Sequence, residues 1–455
     1  MRTFMIIWFG QIFSLMGTAV SQFGLTLWAY DVSGGKATPM AWIGAIFTAA
    51  MLVFSPFIGV WVDRGNRKLL MMLSDLAAAF VTLIVLILYI AGRLQIWHLY
   101  ITAFISGTFQ GFQWPAYSAA ISTMLDKRHY ARASAMLEMI GPGSQIFAPI
   151  VAGALIGPIG LWINANAPTL ANRLSGPPGI LGLLIIDLIS ATVAIGTLLF
   201  VHIPQPERSE AGIQAQGGFI HEITFGLRYI LQRPSLLALQ TVFLVGNLFS
   251  NIGFAVYAAM ILARTNQNAL IFGGVQTASA VGGLIGGIVL SAWGGFKRRV
   301  HGILLGWIVS GLGMVGMGIS QVLPLWLVFG FLIMAAMPLI NSSNQAIWQS
   351  KVPPDIQGRV FTSRRFIAWL AGPISQWIAG PLADQVFEPA MRPGNPLATL
   401  VGWLVGTGSG AGMGLQFALC GVLSLAVGLG AYLFPAVRNA EDRLPDHDEV
   451  SSQAH

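Results

Sequence analysis

The chain carries 17 Asp and Glu, and three of them stand where acids are costly. Asp75, Glu138 and Asp187 each lie at least about six residues inside a long apolar run. An ionisable group at membrane depth costs roughly 2.5–3.5 kcal/mol by insertion scales, so its presence there points to use. The chemistry open to such a carboxyl is proton loading and release. Glu138 is the first candidate, because Glu138, Pro142, Gln145 and Pro149 share one helical face. A hydrogen bond to a neighbouring helix is its competing role. For Asp187 structural pairing is favoured, and Asp75 is expected to brace the loop end of its run.

Other chemistries are excluded. The single cysteine, Cys420, permits no intramolecular disulfide, CxxC metal site or iron–sulfur cluster. The seven His form no HExxH pair. No GxxxxGK[ST] loop is present, so a nucleotide does not supply the energy and an ion gradient is the expected source. Nothing points to an enzyme, a cofactor or a metal.

The elements that must hold these acids are membrane helices. Only 9% of the residues are charged and 55% are hydrophobic, whereas a soluble domain carries about 25% charge. Twelve apolar runs cover about 4–30, 40–62, 69–91, 96–121, 133–160, 179–201, 234–262, 270–293, 300–319, 323–349, 361–383 and 410–434. The first reads as a spanning helix rather than a cleaved leader. Of the 24 Lys and Arg, all but Lys36, Arg93, Arg173, Arg264 and Arg392 fall on the side of the two termini. That bias places both termini in the cytoplasm of a multi-pass inner-membrane protein. It also explains the net charge of +7 without a nucleic-acid partner.

"GPGSQ" at 141–145 returns as "GPISQ" at 372–376, and "GNRK" at 65–68 as "GFKR" at 295–298, at offsets equal to within one residue. The expected fold is therefore all-α, with twelve transmembrane helices in two parallel-repeat six-helix halves. The halves are 1–201 and 234–434. Between them, 202–233 reads as a cytoplasmic linker ending in an interfacial helix with Phe219, Ile223, Leu227 and Ile230 on one face. Residues 435–455 read as a disordered acidic tail. The run within 384–409 is too short to span, and is expected to lie in the outer interface or to re-enter.

Polar faces recur in the apolar runs: Gln11, Ser14, Thr18, Ser21 and Gln22; Ser106, Gln110, Gln113 and Tyr117; Gln240, Asn247 and Asn251; and Asn341, Asn344, Gln345 and Trp348. Uncharged amides with Trp114, Trp348 and Trp369 suit a large amphipathic compound better than a small ion. Interhelical hydrogen bonding is the alternative.

The stretch "GVWVDRGNRK" resembles the loop signature of the major facilitator superfamily, through Gly59, Asp63, Arg64, Gly65, Arg67 and Lys68. The opening "FMIIWFGQIFSLMG" and the loop "GGFKRRVHGIL" look like the branch containing macrolide-efflux and siderophore-export proteins. The resemblance implies that runs 1, 4, 7 and 10 line a central cavity, with the fifth beside it. It implies a cytoplasmic latch, with Asp63 against the start of run eleven near Arg359 and Arg67 against Asp126. Lys68 reads as topogenic, and the second-half copy lacks the Asp-Arg pair. Gly141, Pro142, Pro149 and Gly153 resemble a degenerate antiporter motif that bends or closely packs run five. Run four lacks the intramembrane Arg of some proton antiporters. The implied function is export of a small amphipathic substrate by alternating access, in exchange for protons, by a monomer in the lipid bilayer. An uptake carrier or a non-transporting sensor are the rivals.

Overall fold

The computed structural model describes residues 2–64, 66–124, 140–201, 226–352 and 357–443. Its long helices are α1 (Arg2–Val32), α2 (Ala37–Arg64), α3 (Arg67–Ile90), α4 (Ile96–Met124), α5 (Ile140–Asn166) and α6 (Gly179–Phe200). They continue with α7 (Pro234–Arg264), α8 (Ala269–Trp293), α9 (Arg299–Ile319), α10 (Leu323–Lys351), α11 (Gln357–Leu382) and α12 (Ala411–Leu433). Among the described residues, 10 helices are long and apolar enough to cross a membrane. α4 and α11 are not among those 10. Large apolar side chains such as Phe13, Phe80, Ile189, Ile288 and Leu429 stand exposed along the helices. That surface suits lipid, not water.

The chain forms two compact units, Met1–Ser209 with Ile261–Thr277, and Glu210–Met260 with Ala278–His455. Within the first unit α1 packs along α6 by small residues at seven-residue intervals. A methyl group on Gly10, Gly17 or Gly24 would strike Thr197, Ser190 or Leu183 respectively. A shared spacing of seven keeps two left-handed-crossing helices in contact over their length. α4 lies on α2 through Gly107, where a Cβ would meet the Phe47 carbonyl. The second unit repeats the device between α8 and α10, with Gly282 and Gly286 against the backbones of Phe331 and Ala335. In α9 and α12 both partners carry the spacing: Gly311 and Gly318 face Gly414, Gly421 and their neighbours.

Several expectations change at the connections. α5 continues to Asn166 and a short helix follows at Pro168–Ala171, so residues 161–178, between the fifth and sixth expected runs, are largely helical. It is tied down where Trp28 Nε1 donates to the Ser175 carbonyl (2.8 Å) and Tyr89 Oη to that of Pro177 (2.6 Å). The 384–409 segment forms a short π-helical turn (Ala383–Phe387) and a helix (Pro396–Val405). Met391 and Val405 bury against Ala411 and Leu415 at the start of α12. Leu400 and Trp403 face outward.

The tail expected to be disordered from 435 instead begins with two short helices, Pro435–Arg438 and Ala440–Arg443. Val437 and Ala440 enter the core of the second unit beside Val300, Ile303 and Trp348. Glu441 accepts the Val300 backbone N–H (3.0 Å) at the start of α9, a favourable place for an anion. Lys351 donates to the Glu441 carbonyl (2.6 Å), and Arg298 pairs with Asp442 (2.8 Å). The linker helix ends differently too. Ile230, assigned to an interfacial face, is fully buried in that same core, because its neighbour Leu236 opens α7 there.

Candidate functional site

Among its described residues the first unit holds two buried carboxyls, neither with a described cation beside it. Asp75 on α3 is 2% exposed. Gln11 Nε2 of α1 donates to its Oδ2 (2.7 Å), and Gln113 Nε2 of α4 to its Oδ1 (3.0 Å). Gln113 Nε2 also donates to Gln11 Oε1 (2.8 Å), closing a three-residue ring. Asp75 therefore joins three helices and does not brace the loop end of α3. The polar atoms it needed were on other helices, beyond the reach of local spacing.

Asp187 on α6 takes three hydroxyls. Thr18 donates to Oδ1 (3.0 Å), and Ser21 and Thr82 to Oδ2 (2.7 and 2.8 Å). Gly17 makes this possible, since a side chain there would push the α6 backbone at Asp187 away from α1. The polar stripe of α1 thus serves two carboxyls. Gln11 and Gln113, expected on a cavity wall, are buried with their amides committed to Asp75.

The second unit contains an open cavity of about 570 Å³. Phe243 of α7, Asn341, Asn344 and Gln345 of α10, and Arg364, Arg365 and Trp369 of α11 line it. Arg364 Nη2 donates to Gln345 Oε1. Its guanidinium stands 5.4 Å from the Trp348 ring and 5.3 Å from that of Phe361, within cation–π range. Its Nη1 is buried without a hydrogen-bond partner. Trp348 is itself fully buried behind the cavity, donating to Asn344 Oδ1 (3.0 Å). Sequence reasoning placed Arg364 only among the orienting charges. A cation two turns inside α11, in register with Ala368 and Trp369, was the signal available.

The remaining candidates fall as follows. Asn247 and Asn251 lie on α7, and Asn247 Nδ2 is spent on the Phe243 carbonyl (2.9 Å). Gln22 is exposed on α1, and Gln110 is half-buried on α4. Pro149 and Gly153 lie within a continuous α5. They pack against Gly273 and Leu270 at the start of α8, so they act there as close-contact sites rather than as a break. Lys68 does more than orient: its Nζ donates to the Leu199 carbonyl (3.1 Å) at the end of α6. Gly65, Asp126 and Glu138 lie outside the described residues. Gly59, Asp63, Arg64, Arg67, Trp114, Gly141, Pro142, Gln145 and Arg359 are on helices, but their side chains lie outside what is described.

Comparison with known proteins agrees with this architecture. Macrolide efflux protein A of Streptococcus pyogenes is 26% identical over 394 residues, covering 84% of this chain and 90% of that protein. The multidrug efflux pump Tap of Mycolicibacterium fortuitum is 25% identical over 386 residues, covering 81% and 87%. A crystal structure of a bacterial homologue of the human lysosomal transporter Spinster superposes with a TM-score of 0.68, over 96% of both chains at 15% identity. The family model of the Major Facilitator Superfamily matches residues 7–376. With that match across most of its helices, the chain belongs to the Major Facilitator Superfamily of membrane transporters.

Proposed function

We propose that the protein exports an amphipathic organic compound by alternating access, in exchange for protons. The observation that carries the coupling is the pair of buried carboxyls held by neutral donors. No cation among the described residues neutralises Asp75 or Asp187, so a proton is the natural partner when either is cut off from water. The two differ in what a proton does. Around Asp187 the hydroxyls both donate and accept, so one can rotate its hydrogen away. Around Asp75 both donors are amides. A protonated Asp75 donates, and an amide must then turn its oxygen towards it. Turning Gln113 breaks its bond to Gln11 and loosens α1 from α4. Protonation of Asp75 thereby alters a link between helices, which is what coupling requires. Glu138 remains a third proposed coupling group, and the latch of Asp63 against the start of run eleven near Arg359, with Arg67 against Asp126, remains the proposed closure.

The efflux relatives support the outward direction. The skew of Lys and Arg supports an inner-membrane protein with both termini in the cytoplasm. A monomer in lipid is the proposed working form.

The test is transport in proteoliposomes under an imposed pH gradient, with a panel of fluorescent dyes and macrolides. Accumulation of a panel member against its gradient, abolished by a protonophore, is expected. Uptake in the opposite sense would establish the carrier alternative. If neither solute nor protons move, the sensor reading takes its place.

A further inference from the structure

The cavity of the second unit has a polarity that the export reading does not use. Two of its three amides already have an oxygen engaged as an acceptor. Asn344 Oδ1 is taken by the Trp348 indole and Gln345 Oε1 by Arg364. What these residues leave to the cavity is their –NH₂ groups. Arg364 lines the cavity with its guanidinium, whose Nη1 has no acceptor among the described residues. Arg365 adds a second positive charge, and none of the described lining residues is acidic. A part-buried guanidinium with no counter-ion beside it is costly to leave so, and an incoming oxyanion at its cavity side relieves that cost. The planar fork of Arg matches a carboxylate or sulfonate in two-point contact. Trp369, 44% exposed, and Phe243 offer apolar faces beside it. The volume of about 570 Å³ is that of a site for a drug-sized molecule.

We infer that this cavity binds amphipathic compounds through a negatively charged oxyanion held by Arg364, with the apolar body against Trp369 and Phe243. The inference rests on the transporter reading for its physiological meaning and names the substrate class of that site. It runs against a purely cationic cargo. A compound whose only ionised group is an ammonium would meet two arginines and no carboxylate among the described lining residues.

The test uses three probes that share one fluorophore: dansyl-phenylalanine, its methyl ester and dansylcadaverine, an anion, a neutral molecule and a cation. Binding to the full chain in nanodiscs is read by Trp-to-dansyl energy transfer. The anion is expected to bind on the order of tenfold tighter than the ester, with the cation weakest. Arg364→Gln should bring the anion down to the affinity of the ester while the ester holds. Arg364→Lys should keep the charge preference at reduced affinity, because the fork is lost and the charge stays. Should Arg364→Gln fail to fold, the probe ranking in the native protein and Arg364→Lys decides alone. The proposal is overturned if the cation binds as well as the anion, if the anion does not bind, or if Arg364→Gln weakens all three probes alike. A parallel proteoliposome assay separates the two readings. Correct charge ranking with no movement under any gradient leaves the anion site standing and removes the transporter function. Movement with the ranking reversed does the opposite.

Discussion

Asp75 and Asp187 are both buried without a cation among the described residues, yet they make different demands on their neighbours. The amide ring around Asp75 has a direction that a proton reverses. The hydroxyl cage around Asp187 does not. Asp75→Asn fixes a neutral group that both donates and accepts, so one glutamine must turn permanently. Gradient-driven transport should fall on the order of tenfold or more, while exchange counterflow, which needs no proton cycle, stays near the native rate. Equal loss of both would make Asp75 a structural anchor. This distinction was only half legible in the sequence. Gln11, Thr18 and Ser21 stood out as polar residues in an apolar run. Whether such a stripe faces a cavity or a neighbouring helix depends on helix rotation, which composition does not encode. Arg364 was hidden for a different reason: near a helix end, a binding arginine and an orienting one look alike.

At the level of elements, helix contact is set by where side chains are missing. Two contacts with the same appearance should respond differently to one added methyl. Gly17→Ala meets chiefly the Ser190 side chain, whereas Gly107→Ala meets the Phe47 carbonyl, which cannot rotate away. Each should cost about 1–3 kcal/mol as overpacking. Ser190→Gly should recover much of the loss for Gly17→Ala. Trimming Phe47 to Ala should recover none for Gly107→Ala. Thermal unfolding of the four variants in one detergent checks this, and recovery by Phe47→Ala would refute it. The helices themselves were legible because length and apolarity suffice: 300–319 was expected and Arg299–Ile319 is observed. Connections were less so. α5 runs on to Asn166 because nothing in "GLWINAN" stops a helix until Pro168 follows, and the residue before a proline leaves the helical region.

At the scale of the molecule, the proposed cytoplasmic side of the termini is open to a direct check. A fluorescent protein fused after residue 455 should glow, and alkaline phosphatase at the same place should stay inactive, as both follow from a cytoplasmic C-terminus. An active phosphatase would invert the whole topology. The buried Cys420, 5% exposed, should resist maleimide until the protein is unfolded, leaving a quiet background for placing reporter cysteines. The tail bears on something else: the order in which the protein is made. Glu441 and Asp442 hold the start of α9, and Val437 and Ala440 fill the core beneath it. These residues follow α12 in the chain and so leave the ribosome after it. The second unit therefore cannot finish one end of its core until the segment beyond α12 has been made. A chain cut just after Leu433 would carry α1 to α12 into the bilayer and still present an open end to quality control.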